Sequence, residues 1–331
     1  MGIATTELTN EQKKPSKRQL WIAAIKLPLY SVIIIPVWIG NAVALAETGN
    51  INISNLILFS LAALLIQIWI NLTNDVFDDD TGVDVHKYHS IVQLTGKKAA
   101  ILWLSNLLLI IGLIIAAFLS WRQQDITLML LFLIGCFLGY SYQGPPFRLS
   151  YKGIGEIICF FAYSLATITP YYLQNPELDH TILASAASIG FATSMILFCA
   201  HFHQVEDDLA GGKYSPVARF GTKKSAKILS WWAVINYSLI GLFVWLKILP
   251  MGALLSLLSG YYAIKLCAHV TKYHDQPEKV SNCKFIAVAM YFWFGILFGT
   301  GIKFCHVSNM LDNQRKSIAT AINLQLLTFS G

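Results

Sequence analysis

The chain reads as an all-α protein, a polytopic membrane bundle of about nine helices around a central cavity with cytoplasmic cap loops. Three observations carry that reading. Charged residues make up only 13% of the 331, about half the share of a soluble domain. Mean hydropathy is +0.56 and 55% of residues are hydrophobic, with no polar stretch long enough for a soluble domain. Apolar runs near the 20 residues needed to cross a bilayer recur along the whole chain.

Taken in order, the expected spans lie near 22–46, 53–74, 99–121, 126–142, 154–173, 182–203, 226–246, 249–270 and 285–306. The fourth is the shortest, and the seventh and eighth meet close to Pro250. Residues 1–18 form a polar arm expected to be disordered, 19–306 a single transmembrane domain, and 307–331 a mildly amphipathic tail. No cleavable signal peptide is expected, because the first apolar run starts near Trp21 and is long enough to span.

With nine spans and a cytoplasmic N-terminus, 19 of the 24 Lys and Arg fall on the cytoplasmic side, as the positive-inside rule requires. That bias and anionic headgroups account for the net charge of +6. Nucleic acid is not needed as a partner. The six cysteines are scattered through apolar segments without a CxxC pair and are expected to be buried free thiols.

Against so little charge, two acidic clusters stand out. The first, Asn74-Asp75-Val76-Phe77-Asp78-Asp79-Asp80-Thr81-Gly82-Val83-Asp84, closes the second span. Asp75 and Asp78 are three apart, so on a continuing helix they share a face with Asn71 and Asn74 nearby. Gly82 permits a turn that returns Asp84 toward them. Acids at a helix C-terminus oppose the macrodipole and call for a neutralising partner. Hard divalent cations take such oxygen ligands and are often completed by substrate phosphates, so the pattern points to Mg2+.

The second cluster, His201-Phe202-His203-Gln204-Val205-Glu206-Asp207-Asp208, closes the sixth span. Gln204 and Asp208, four apart, are expected to share a helical face, flanked by Glu206. The two histidines are two apart, without HExxH spacing, and read as hydrogen-bonding groups rather than zinc ligands. A third loop, Tyr140-Ser141-Tyr142-Gln143-Gly144-Pro145-Pro146-Phe147-Arg148-Leu149-Ser150-Tyr151-Lys152, turns at its Gly and Pro residues. It offers Arg148 and Lys152 to phosphate oxygens. Lys26, at the start of the first span, is a further cation in apolar surroundings. These loops follow spans two, four and six and meet on one face. The acidic clusters are four spans apart, as in a degenerate internal repeat with two half-sites across a cavity.

At these residues the chain resembles the UbiA-type intramembrane aromatic prenyltransferases, over nearly its whole length. Within that family it is most similar to the naphthoate branch, through Asp84, the Tyr151-Lys152-Gly153-Ile154-Gly155-Glu156 segment, Lys26-Leu27-Pro28-Leu29-Tyr30-Ser31 and the run His201–Asp208. Two positions depart from the family pattern. Gly82 stands where a third Asp is usual, and Gln204 stands where the second motif usually begins with Asp.

The resemblance implies a Mg2+-dependent enzyme that moves a prenyl group, phytyl in the phylloquinone-making members, from its diphosphate to 1,4-dihydroxy-2-naphthoate (2-carboxy-1,4-naphthoquinone) with loss of CO2. It implies Asp75, Asp78, Asp84 and Asp208 as catalytic acids. Asn71, Asn74, Gln204 and Glu206 join them around the metal, and Lys26, Arg148 and Lys152 bind diphosphate. The expected setting is a plasma or thylakoid membrane, with the active-site loops cytoplasmic. Other acceptors (homogentisate, 4-hydroxybenzoate, a chlorophyllide) are alternatives, as is a cation-coupled transporter.

Overall fold

The structure is a computed structural model that describes residues 27–83 and 90–304; the side chains of residues 27–29 and 31 lie outside the description. Lys26, Asp84, the expected arm and the expected tail also fall outside the described residues.

All regular structure among the described residues is helical. Among the described residues, nine long helices follow the nine apolar runs: α1 Leu27–Thr48, α2 Ile53–Thr81, α3 Lys98–Gln123, α4 Ile126–Gln143, α5 Gly155–Gln174, α6 His180–Ala200, α7 Thr222–Trp245, α8 Met251–Tyr273 and α9 Pro277–Phe304. Eight of these positions carry helices long and apolar enough to cross a bilayer. The apolar part of α1 within the described residues, Val32–Thr48, falls short of that length.

Surface composition agrees with a lipid environment. Large apolar side chains such as Trp103, Ile114, Trp231 and Ile264 are exposed around the bundle. Trp103 and Trp121 bracket about 27 Å of α3, close to the hydrocarbon thickness, where Trp is enriched at both interfaces. Inside, α6 is the most enclosed span, its Ile189, Met195, Phe198 and Cys199 sharing one core with Ile35 and Ile39 of α1, Leu229 of α7 and Phe294 of α9. A second core joins α2, α3 and α4 through Phe59, Leu119 and Phe132.

Lipid offers little hydrophobic drive for helix pairing, so small residues and close contact matter. At Gly252 and Gly301 the backbones of α8 and α9 meet. A Cβ built on either would lie 1.9 Å from the other's carbonyl oxygen.

The connections are unequal at the two ends. Those after α1, α3, α5 and α7 are short. Those after α2, α4 and α6 are longer and fold into a cap of small helices at Ile91–Thr95, Leu149–Lys152, His201–His203, Val205–Ala210 and Pro216–Phe220. The cap is stitched together: Tyr214 N donates to Tyr151 O at 2.9 Å, and Arg219 Nη2 donates to Lys152 O at 2.7 Å. The three loops that carry the chemistry therefore do meet on one face.

Candidate active site

Helix α2 positions the first cluster by running past the apolar stretch. Asn52 caps its start, accepting from Asn55 N at 3.1 Å, and Gly82 ends it with a φ of 74°, in the left-handed region glycine enters freely. The unbroken helix places Gln67, Asn71, Asn74, Asp75 and Asp78 in one wall of a cavity of about 570 Å³. The remaining walls come mainly from α4, α5, α6 and α9, with Val32 of α1 and residues of the cap, and are largely apolar, including Leu138, Ile158, Ile196, Leu197 and Val288. Tyr30 of α1 lies close enough to Asn71 and Asp75 to interact with both.

Both acids are held. Asp75 is 2% exposed, and its Oδ2 accepts from Ile91 N at 3.3 Å. Asp78 is 5% exposed; its Oδ1 accepts from Tyr151 Oη at 3.0 Å and from Gln143 Nε2. Tyr151 also lies 2.6 Å from the Thr81 hydroxyl. Burial first, then the charge of Asp78, pushes the Tyr151 phenol above its ordinary value, so it stays a donor. By contrast, Asp79 and Asp80 turn outward and pair with Lys98, with Nζ to Asp79 Oδ2 at 3.0 Å.

The second cluster departs from the expected helical face. The last turn of α6 tightens into the 3-10 turn His201–His203, and Gln204 has a non-helical φ of −117° before a new helix starts at Val205. A four-residue spacing across that break does not keep two side chains on one face. Gln204, His201 and His203 line the cavity, whereas Asp208 does not. Asp208 is fully buried behind His201, with Oδ2 3.0 Å from His201 Nδ1 and Oδ1 3.6 Å from Lys213 Nζ. Burial by itself would raise this carboxyl; His201 and Lys213 outweigh it and hold it below the ordinary value. Glu156, at the start of α5, stands 3.7 Å from His201 Nε2 and is also buried. Glu206 is exposed.

What this half presents to the cavity is therefore His201, His203, Gln204 and Lys213, with Lys284 of α9 nearby in the lining. Loop spacing does not reveal Lys213, because its place follows from a turn in which Lys213 N donates to Asp208 O at 2.7 Å. Gln143 and Tyr151 carry no distinguishing signal within the Gly-Pro loop, and only the fold shows that both reach Asp78.

Of the cations expected for phosphate, Arg148 is half-buried over the Tyr151 ring, 5.8 Å from its centroid. Its Nε is buried without an acceptor among the described residues. Lys152 is exposed and does not line the cavity. The five described cysteines are free thiols, three of them buried, and Cys159 faces the cavity.

The α2 wall fits a hard divalent cation. Asp75 and Asp78 supply carboxylate oxygens, and Asn71 and Asn74 supply amide oxygens in the same wall. Among the described residues there is no cluster of three or more His, Cys, Asp or Glu that would hold a metal unaided. Such a site relies on amides, water and substrate phosphate, as Mg2+ sites commonly do.

Comparison with known proteins is consistent over the whole bundle. The 2-carboxy-1,4-naphthoquinone phytyltransferase of Synechocystis sp. is 46% identical over 288 residues, covering 87% of this chain and 94% of that one. The chloroplastic 2-carboxy-1,4-naphthoquinone phytyltransferase of Arabidopsis thaliana is 36% identical over 301 residues, covering 88% and 78%. A UbiA homologue from Archaeoglobus fulgidus, solved with GPP and Mg2+ bound, shares the fold with a TM-score of 0.57 at 15% identity, covering 85% of this chain and 99% of that one. The UbiA prenyltransferase family pattern matches residues 33–295, and the chain is a member of that family, a membrane-embedded prenyltransferase.

Proposed function

We propose that this protein transfers a phytyl group from phytyl diphosphate to 1,4-dihydroxy-2-naphthoate, the reduced form of 2-carboxy-1,4-naphthoquinone, releasing diphosphate and CO2. One observation carries the reading. The cavity has a buried acid-and-amide wall at the cap end of α2, Lys213 in its lining, and apolar walls elsewhere. A polyanionic head and a long apolar tail find complementary surfaces in a single chamber. The names of the Synechocystis and Arabidopsis relatives supply the acceptor and the tail.

Asp75 and Asp78, with Asn71 and Asn74, would hold Mg2+ against the diphosphate. The bound ion supplies Lewis-acid stabilisation of the charge that develops on the leaving oxygens. Gln143 and Tyr151 fix Asp78 by donating to it, so the carboxylate need not reorganise during reaction. Lys213 adds positive charge in a water-poor space, where electrostatics act strongly; Arg148, over the Tyr151 ring and outside the lining, adds its charge from further off.

The allylic C–O bond breaks with its electron pair going to diphosphate. A ring electron pair of the naphthoate forms the new C–C bond. The carboxylate then leaves as CO2, and its bonding pair restores the aromatic ring. Ile158, Ile196, Leu197 and Val288 keep the chamber apolar, which protects the cation from water. Asp84 and Lys26 are assigned to the metal and the diphosphate by the resemblance alone. Asp208 supports Lys213 and His201 from behind. The multi-span fold places the reaction in a membrane; we assign the cap to the cytoplasmic side of a plasma or thylakoid membrane from the Lys and Arg bias.

The test is product formation by purified protein in nanodiscs, with 1,4-dihydroxy-2-naphthoate and phytyl diphosphate. Mg2+-dependent demethylphylloquinol, read as its quinone after oxidation in air and absent with Asp75→Ala, is the expected result. Turnover of homogentisate or 4-hydroxybenzoate in place of the naphthoate would overturn the acceptor assignment.

A further inference from the structure

Next to the main cavity lies a second, smaller one of about 90 Å³, walled by Phe59 and Ala63 of α2, Phe132 and Gly135 of α4, and Ala166 of α5. The two cavities share Gln67, Ile70, Ala162 and Tyr163. Between them, Tyr163 Oη donates to Gln67 Oε1 at 3.2 Å. Gln67 is buried, 8% exposed, and the far side of the wall is largely apolar, with Thr169 the other polar residue besides the pair itself. A lone, long hydrogen bond in such a place is a weak partition, because parting it exposes only one donor and one acceptor.

Position along α2 gives this partition a length scale. Asp78, Asp75, Asn71 and Gln67 follow one another at three- and four-residue steps and line the same wall. Gln67 then stands about 12 Å from Asp75 and about 16 Å from Asp78 along the helix axis. An extended isoprene unit advances roughly 5 Å, four carbon–carbon bonds of about 1.5 Å in zigzag. A donor whose diphosphate is anchored at Asp75 and Asp78 thus brings about its third isoprene to Gln67. A ten-carbon tail ends short of the partition, and a twenty-carbon tail must pass it. Beyond it, the small cavity, lined mostly by apolar side chains, offers a surface for one terminal unit. Apolar space of this kind accepts apolar guests.

We propose that the Gln67–Tyr163 pair is the length selector for the prenyl donor, and that the cavity behind it receives the terminal isoprene of a twenty-carbon tail. The inference rests on the proposed prenyl transfer and adds to it which residues read the tail. Neither residue touches the reacting carbon in this arrangement; both are specificity residues.

The experiment compares kcat/KM for ten-, fifteen- and twenty-carbon prenyl diphosphates in wild type, Gly135→Leu and Tyr163→Phe. At Gly135 an added Cβ meets only Leu165, at 3.8 Å, an ordinary van der Waals contact, and the residue lines the second cavity, so a leucine there is expected to take up that space. Filling that space is expected to lower kcat/KM for the twenty-carbon donor at least about tenfold, while the ten-carbon donor stays within about twofold. Tyr163→Phe removes the hydrogen bond and keeps the ring, and is expected to raise the ratio of twenty- to ten-carbon turnover. Retained ten-carbon turnover shows that each variant is folded and competent. An unchanged ratio in both variants, or an equal fall for all donors, overturns the selector. Absence of turnover with every donor in the wild type would instead overturn prenyl transfer itself, and the selector with it.

Discussion

The acidic ends of α2 and α6 look alike in sequence and are used in opposite ways. At α2 the helix continues, and Asp75 and Asp78 face the cavity. At α6 the helix breaks into a 3-10 turn, and Asp208 folds in behind His201 and Lys213. One cluster offers negative charge to a cation; the other uses its negative charge to hold a cation in place. A repeated pattern of acids therefore does not make a repeated site. What decides is whether the backbone stays helical between the last apolar residue and the first acid.

Removing charge from the α2 wall should produce the largest effect. Asp75→Asn and Asp78→Asn are expected to lower kcat by at least about 100-fold, the scale of losing a central electrostatic group. Chelation with EDTA should do the same to the wild type. Steady-state assay of folded protein checks both, and near-normal turnover in either variant would break the contrast at its stronger side.

Asp208→Asn comes next, and its first effect is on stability. The buried Lys213 loses its counter-charge and His201 a carboxylate hydrogen-bond partner, which costs about 3 kcal/mol where one partner of a buried pair is removed. Thermal unfolding in detergent measures it. The pH dependence carries a definite sign. A carboxyl held below its ordinary value stabilises fully above about pH 4 and loses that contribution as pH falls through its lowered folded value. The wild type should therefore lose stability on acidification in a step that Asp208→Asn lacks. A variant that keeps wild-type stability but needs more Mg2+ would show that the two clusters act alike after all.

Smaller effects sharpen the picture. Tyr151→Phe removes a hydrogen bond to the Asp78 carboxylate, worth about 2 kcal/mol when the acceptor is charged, and should lower kcat roughly tenfold. Glu206→Gln and Lys152→Ala alter exposed groups that do not line the cavity. Each should leave turnover within about twofold, as exposed charges commonly do.

Much of this architecture is legible in the amino-acid sequence. Apolar run length locates the nine long helices among the described residues, and three-residue spacing puts Asp75 and Asp78 on one face because the intervening chain is uninterrupted helix. Legibility fails where the chain leaves regular structure. Gln204 and Asp208 are four apart, but a turn separates them, so periodicity misdirects. Lys213, Gln143 and Tyr151 reach the site through cap hydrogen bonds between loops distant in sequence, such as Tyr214 N to Tyr151 O. No local pattern encodes those. Gln67 and Tyr163 are hidden for another reason: each reads as one polar residue inside a span, and only their pairing across 96 positions gives them a role.

The meeting of Gly252 and Gly301 has a consequence for how this protein can vary over time. With each Cβ excluded by the other's carbonyl, neither position can drift alone. The two behave as a single inherited character, and a lineage that acquires a side chain at one must also have re-spaced α8 from α9. Across relatives, these two sites should change together or stay glycine together, even though they lie 49 positions apart in the chain.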